Sequence, residues 1–233
     1  DLKEQLGWWT ALWAEFGFTV DPTAITLPTV PAGFGPARLV VIPQGLTIQK
    51  AWEIAESLFP CNKNWISGNL DKAIPINDRK TDKAYAVAFR DRDEADEEFK
   101  NFSANDLKDR NHRGITVLET IVDEIGFYKK TGGHRDIQNV TLCTGSRYSV
   151  GDVPESRWHA GKFGHVNPVR VVGAAGYDLV QKNDFVFPFL DRDVVILNTG
   201  MFLSQGGEFM EMRGKKGPGL GLLDVFGKRP RQA

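Results

Sequence analysis

Leu2, Leu6, Trp9, Trp13 and Phe16 recur every three or four residues, and Trp8 and Leu12 widen the stripe. Residues 2–16 therefore predict an amphipathic helix with an aromatic face. A change of texture follows over 21–37, where Pro22, Pro28, Pro31, Pro36, Gly33 and Gly35 interrupt every period. That composition predicts a connector without regular structure. The pattern then alternates between short apolar runs and helical stripes. Residues 38–42 predict a buried strand. Thr47 is placed to cap a helix over 48–59 whose inner face is Ile48, Ala51, Trp52, Ala55, Leu58 and Phe59, and Pro60 stops it.

Residues 60–83 lack periodicity, with a turn expected at Asn77, Asp78 and Arg79. A second strand is expected at 85–89. The charged stretch 93–101 predicts a helix with Ala95 and Phe99 inward and its acids in water. Ser103 and Asp106 have capping-box spacing, with Asp for the usual Glu, ahead of a short helix through Leu107. The clearest helix spans 115–130, with Leu118, Ile121, Val122, Ile125 and Tyr128 on one face and Glu119, Asp123 and Glu124 on the other. Gly132 and Gly133 terminate it. Further strands are expected at 137–143, 169–172, 185–189 and 194–197, with Pro188 marking an edge or bulge. The expectation is one α/β body over 38–205. It has a mixed sheet of five to seven strands flanked by three or four helices, with the Trp-bearing helix (1–20) and connector (21–37) before it. A Gly-rich tail (206–233) follows.

Composition fits a globular chain: 233 residues, 41% hydrophobic and 25% charged. A chain of this length buries a core without disulfides. The apolar runs are far shorter than the ~20 residues of a membrane helix, so no membrane association is expected. The net charge of −1 is uneven: from Arg213 onward there are six basic residues and one acid. Nucleic acid is thus an expected partner only through that basic tail, by contact with phosphates. Two distant cysteines, Cys61 and Cys143, read as reduced thiols of a cytoplasmic protein. The sequence opens at Asp1, which implies that a start methionine or a longer segment has been removed, or that it begins inside a longer chain.

No dinucleotide fingerprint, P-loop, zincin, paired-cysteine or nucleophile-elbow motif is present. Chemically capable side chains concentrate between 134 and 165, which holds three of the four histidines. Three readings compete there. Thr144, Gly145, Ser146 and Arg147 form an anion cradle, with His134 nearby. His159 and His165 bind a metal with Asp152 or Cys143. Cys143 acts as a histidine-activated nucleophile. The first is preferred, and no metal is assigned. A weaker ligand position is the strand–helix turn with Gln44 and Thr47. Trp8, Trp9 and Trp13 are candidate partner anchors, since Trp is enriched at binding hot spots.

The order of segments carries a resemblance: Gln44-Gly-Leu-Thr47, Asn77-Asp-Arg79, Ser103-Ala-Asn-Asp-Leu107, Thr131-Gly-Gly-His134 and Thr141-Leu-Cys-Thr-Gly-Ser-Arg147, with Val153-Pro154 after them. Over roughly 38–158 the chain resembles a family of uncharacterised proteins predicted from genomes of uncultivated, small-genome bacteria. The resemblance implies no activity, cofactor or partner. The leading expectation is a non-catalytic binding or assembly protein that uses its terminal segments on a protein partner or in a homo-oligomer. The alternative is a small enzyme or anion binder using the 134–165 loops.

Overall fold

In the computed structural model, residues 1–63, 66, 68–96, 99, 102–164, 168–169, 201–203 and 209–211 are described. The chain divides into two units, Asp1–Val186 and Phe187–Ala233. The first is α/β, with helices and mixed sheets. In the second, β10 (Met201–Leu203) and β11 (Phe209–Glu211) form an antiparallel hairpin. The expected strands at 185–189 and 194–197 lie outside the described residues, as do residues 170–172 and the basic run from Arg213.

Helix α1 (Leu2–Glu15) starts with a capping box between Asp1 and Glu4. Strand β1 (Ala37–Ile42) pairs antiparallel with β4 (Tyr85–Arg90), Leu39 opposite Ala88. The other edge of β1 is met by α1. Gln5 Nε2 donates to Ala37 O (3.2 Å) and its Oε1 accepts from Leu39 N (2.6 Å). Trp9 Nε1 donates to Leu39 O (2.6 Å) and Trp13 Nε1 to Val41 O (2.8 Å). Trp13 is fully buried and Trp9 is 2% exposed. These two indoles, expected as candidate partner anchors, are core groups that satisfy a strand edge. Trp8 is half-buried, with Lys130 Nζ 4.1 Å from its ring centroid. The connector also belongs to this core, through the buried side chain of Ile25 and the Pro22–Ala24 3-10 turn.

Helix α2 (Ile48–Leu58) matches its expected span, and α5 (Val117–Thr131) ends at Gly132, whose φ of 71° suits glycine. Helix α4 (Ala104–Asp109) begins at the expected Ser103–Asp106 capping box. No helix forms at 93–96. Glu94 instead accepts from the backbone N–H groups of Gln138 and Asn139, and Arg90 and Arg92 pair with Asp96. The rest of that expected helix is only partly described.

The strand expected at 137–143 shrinks to β5 (Thr141–Leu142). The region beyond it, expected as a loop, holds the longest strand among the described residues, β7 (Val153–His159). Strand β7 pairs with β5, with β8 (Lys162–Gly164) and with β9 (Pro168–Val169), all antiparallel. Strand β8 also pairs parallel with β2 (Cys61–Asn62), so this five-stranded sheet is mixed. A two-residue ladder joins β3 (Ile76–Asn77) to β6 (Ser146–Arg147). Helix α3 (Leu70–Ala73) lies between β2 and β3 in the chain.

Trp13→Phe removes one N–H and leaves the buried Val41 carbonyl without that donor. The expected loss is about 1–3 kcal/mol in urea unfolding. Deleting residues 1–20 is expected to unfold the first unit rather than release an independent body, seen as loss of near-ultraviolet circular dichroism.

Candidate functional site

Helix α5 is buried around its whole circumference from Val117 to Gly126, so its acids do not face water. Distant segments supply the partners of Glu119 and Asp123, and the segment just beyond the helix supplies those of Glu124. Glu119 accepts from the Arg79 guanidinium, from Tyr85 Oη (3.0 Å) and from Thr116 N (2.8 Å). Burial pushes the Tyr85 hydroxyl pKa upward, and Glu119 beside it adds to this. Asp123 takes the Arg38 fork, with Nη2 at 2.7 Å, and Arg135 Nε lies 3.3 Å away. Glu124 meets His134 Nδ1 at 2.7 Å and accepts from Arg135 N at 3.1 Å, while burial raises its pKa. Buried charges persist only when paired and hydrogen-bonded, and these three are. The face that carries Glu119, Asp123 and Glu124 is thus as buried as the apolar one.

His134 is committed to this framework. Its ring stacks on Trp158 (centroids 3.3 Å, planes 6° apart) and lies 5.3 Å from Tyr128. Next to it Asp136 is buried, with φ of 50°, and its carboxyl is pushed up to about 7 by burial, against a hydrogen bond from Thr141. A cavity of about 40 Å³ adjoins Asp123, Arg135 and Asp136. That is room for a water molecule or two and no larger ligand.

The expected anion cradle takes a different form. Thr144 N donates to Leu142 O, Gly145 N to Ile115 O and Ser146 N to Cys143 O, so the three backbone donors are used internally. Ser146 is buried: its Oγ accepts from Val117 N (3.0 Å) and donates to Asn77 Oδ1 (2.6 Å). Ser146 thus ties the first turn of α5 to β3 rather than meeting a ligand. Gly145 permits this contact, because a Cβ there would lie 2.7 Å from Gly114 O.

The outer pair of the same ladder, Ile76 and Arg147, faces an open cleft of about 270 Å³. Arg147 Nη1 donates to Thr144 O and Ser146 O, both at 2.7 Å. The far wall brings His112 and Arg113, both exposed, with Asn105, Asn111 and Asp78. Of the cradle residues read from sequence, Thr144, Gly145 and Arg147 line this cleft, whereas Ser146 and His134 do not. Gln44 Nε2 donates to Asp82 O (2.9 Å), and Thr47 Oγ1 caps α2 by accepting from Lys50 N (3.1 Å). The anion position at that helix start is filled by Asp71, which accepts from Ile48 N (2.8 Å).

Sequence reasoning missed His112 and Arg113. The available signal was a basic pair between Asn111 and Gly114, shortly before the predicted helix. Cys143 is buried and held near Thr120 Oγ1 (3.4 Å), and burial pushes its thiol up to about 12. Burial does the same to Cys61. His165 lies outside the described residues. Among the described residues, no group of three or more His, Cys, Asp or Glu side chains is arranged to hold a metal ion. No described helix is long and apolar enough to cross a membrane.

Because the folded-state pKa of Asp136 lies above its ordinary 3.8, its contribution to stability is complete below about pH 4 and is lost as pH rises to about 7. Wild type is expected to lose urea stability between pH 5 and 8 more steeply than Asp136→Asn, since Asn tolerates the positive φ and does not titrate. Equal slopes would assign the pH dependence to other groups, such as Glu124.

No family model matches this chain, no curated protein matches it, and no solved structure matches it, so its function has to be argued from the geometry of its own side chains.

Proposed function

We propose that the chain is a non-catalytic binding protein that takes a small anionic ligand in the cleft between α4, the Asn111–Gly114 turn and the β3–β6 ladder. The observation that carries this reading is the convergence of Arg147, Arg113 and His112 on one open concavity, with the amides of Asn105 and Asn111 at its wall. Guanidinium forks suit carboxylate and phosphate geometry, and the amides add uncharged donors. A binding role is favoured over nucleophilic chemistry because both thiols are held in the protonated form by burial. The concavity beside Asp136 has room only for water.

Assembly through the terminal segments is the second reading. Its support in the first unit is Trp8, a half-buried indole beside Lys130. The basic tail on which it also draws lies outside the described residues. If Trp8 anchors a partner copy, light scattering will show a full-length oligomer that Trp8→Ala converts to monomer without unfolding. An unchanged mass removes Trp8 from that role.

For the cleft, phosphate at a hundredfold excess over its Kd is expected to stabilise wild type by about 2.7 kcal/mol. At matched ionic strength, Arg113→Ala and Arg147→Ala are expected to abolish that gain while shifting the ligand-free midpoint little. An equal phosphate gain in both variants would refute the cleft as the anion site.

A further inference from the structure

The β3–β6 ladder places its pairs in an unusual order. The inward pair, Asn77 and Ser146, is polar and hydrogen-bonded under α5. The outward pair contains Ile76, which is 52% exposed, opposite Arg147. Directly opposed residues of an antiparallel pair share one face of the ladder, so an apolar side chain and a guanidinium stand side by side over the same cleft. Leu107 and Ala104 of α4 line that cleft as well. A single exposed isoleucine is ordinary on a protein surface. Here it joins two further apolar side chains, and the three adjoin the cationic wall.

Charge limits the ligand further. Asp78 lies on the cleft with Arg113 and Arg147, so these three side chains sum to one positive charge. A polyanion would meet Asp78 unfavourably, and a bare inorganic anion would leave Ile76 in water. Resting on the binding reading above, we infer that the cleft selects an organic anion of low charge with an apolar body. That class comprises carboxylates and phosphate monoesters that carry an aryl or short alkyl group. The anionic group meets Arg113 and Arg147, and the apolar body covers Ile76, beside the rim formed by the largely buried Ala104 and Leu107. Backbone fixes this division: Ile76 and Arg147 are held in register, and the buried Ser146 anchors that register to α5.

Equilibrium dialysis of the full chain against inorganic phosphate and against phenyl phosphate tests the inference. Partial burial of a ring on an open apolar wall predicts about tenfold tighter binding of phenyl phosphate. Ile76→Ala, at an exposed position and with circular dichroism as the fold control, is expected to bring the ratio of the two dissociation constants from about tenfold to near one. Equal affinities for the two ligands in wild type, both lost in Arg113→Ala, would overturn the apolar half of the site and leave the anion site standing. A phenyl preference that survives Ile76→Ala would likewise overturn it. Binding of neither ligand would overturn both readings.

Discussion

The first unit depends on the way one helix substitutes for a missing strand. Four residues of helix rise about 6.0 Å, and two residues of strand advance about 6.7 Å. Side chains at Gln5, Trp9 and Trp13 therefore keep nearly in step with the outward-facing peptide groups of Ala37, Leu39 and Val41. A strand edge presents unpaired donors and acceptors, which natural sheets cover or disrupt. Here the cover is amphipathic: each indole buries its ring in the core and spends its one N–H on a carbonyl. The remaining face of α1 holds Trp8, Lys3 and Glu4 outside.

With β1 covered on that edge and paired to β4 on the other, its four buried residues Leu39–Ile42 form a rigid floor for α5. Helix α5 is then enclosed on all sides, and its acids have to be neutralised from within. Arg38 comes from β1 itself, Arg79 from the turn after β3, and His134 and Arg135 from the segment just beyond the helix. The same contacts organise the irregular parts of the chain. Arg135 holds the Arg92 carbonyl and Asp93, and Glu94 holds the amides of Gln138 and Asn139. Charge pairing thus does for these loops what strand pairing does elsewhere.

The cleft is a by-product of that order. Ser146 and Asn77 turn inward to tie the start of α5, which obliges their ladder neighbours, Ile76 and Arg147, to turn outward. Close backbone passage of Gly145 past Gly114 brings the 111–114 turn to the opposite wall. Arg113 and Arg147 are brought onto one cleft by residues packed behind it.

Local pattern alone determined the helices at α1, α2, α4 and α5, the caps at Thr47, Ser103 and Gly132, and the strands β1 and β4. Each is specified by neighbours three, four or two residues apart, which a linear reading sees. Arg147 was visible for the same reason, as a fork within a polar loop. Tertiary structure decided the rest. The side of α5 that carries Glu119, Asp123 and Glu124 reads only as a polar face until arginines 40 to 85 positions away in sequence arrive to pair with it. The stretch 93–96 has helical composition, but its carboxylates and carbonyls are claimed by the 135–139 segment. Strand β7 has no alternating pattern of its own and exists because β5, β8 and β9 pair with it. The tryptophans are a mixed case: their helical stripe was plain in the sequence. That two of them donate into a strand edge follows from the matching repeats of helix and strand, which only the packed chain brings together.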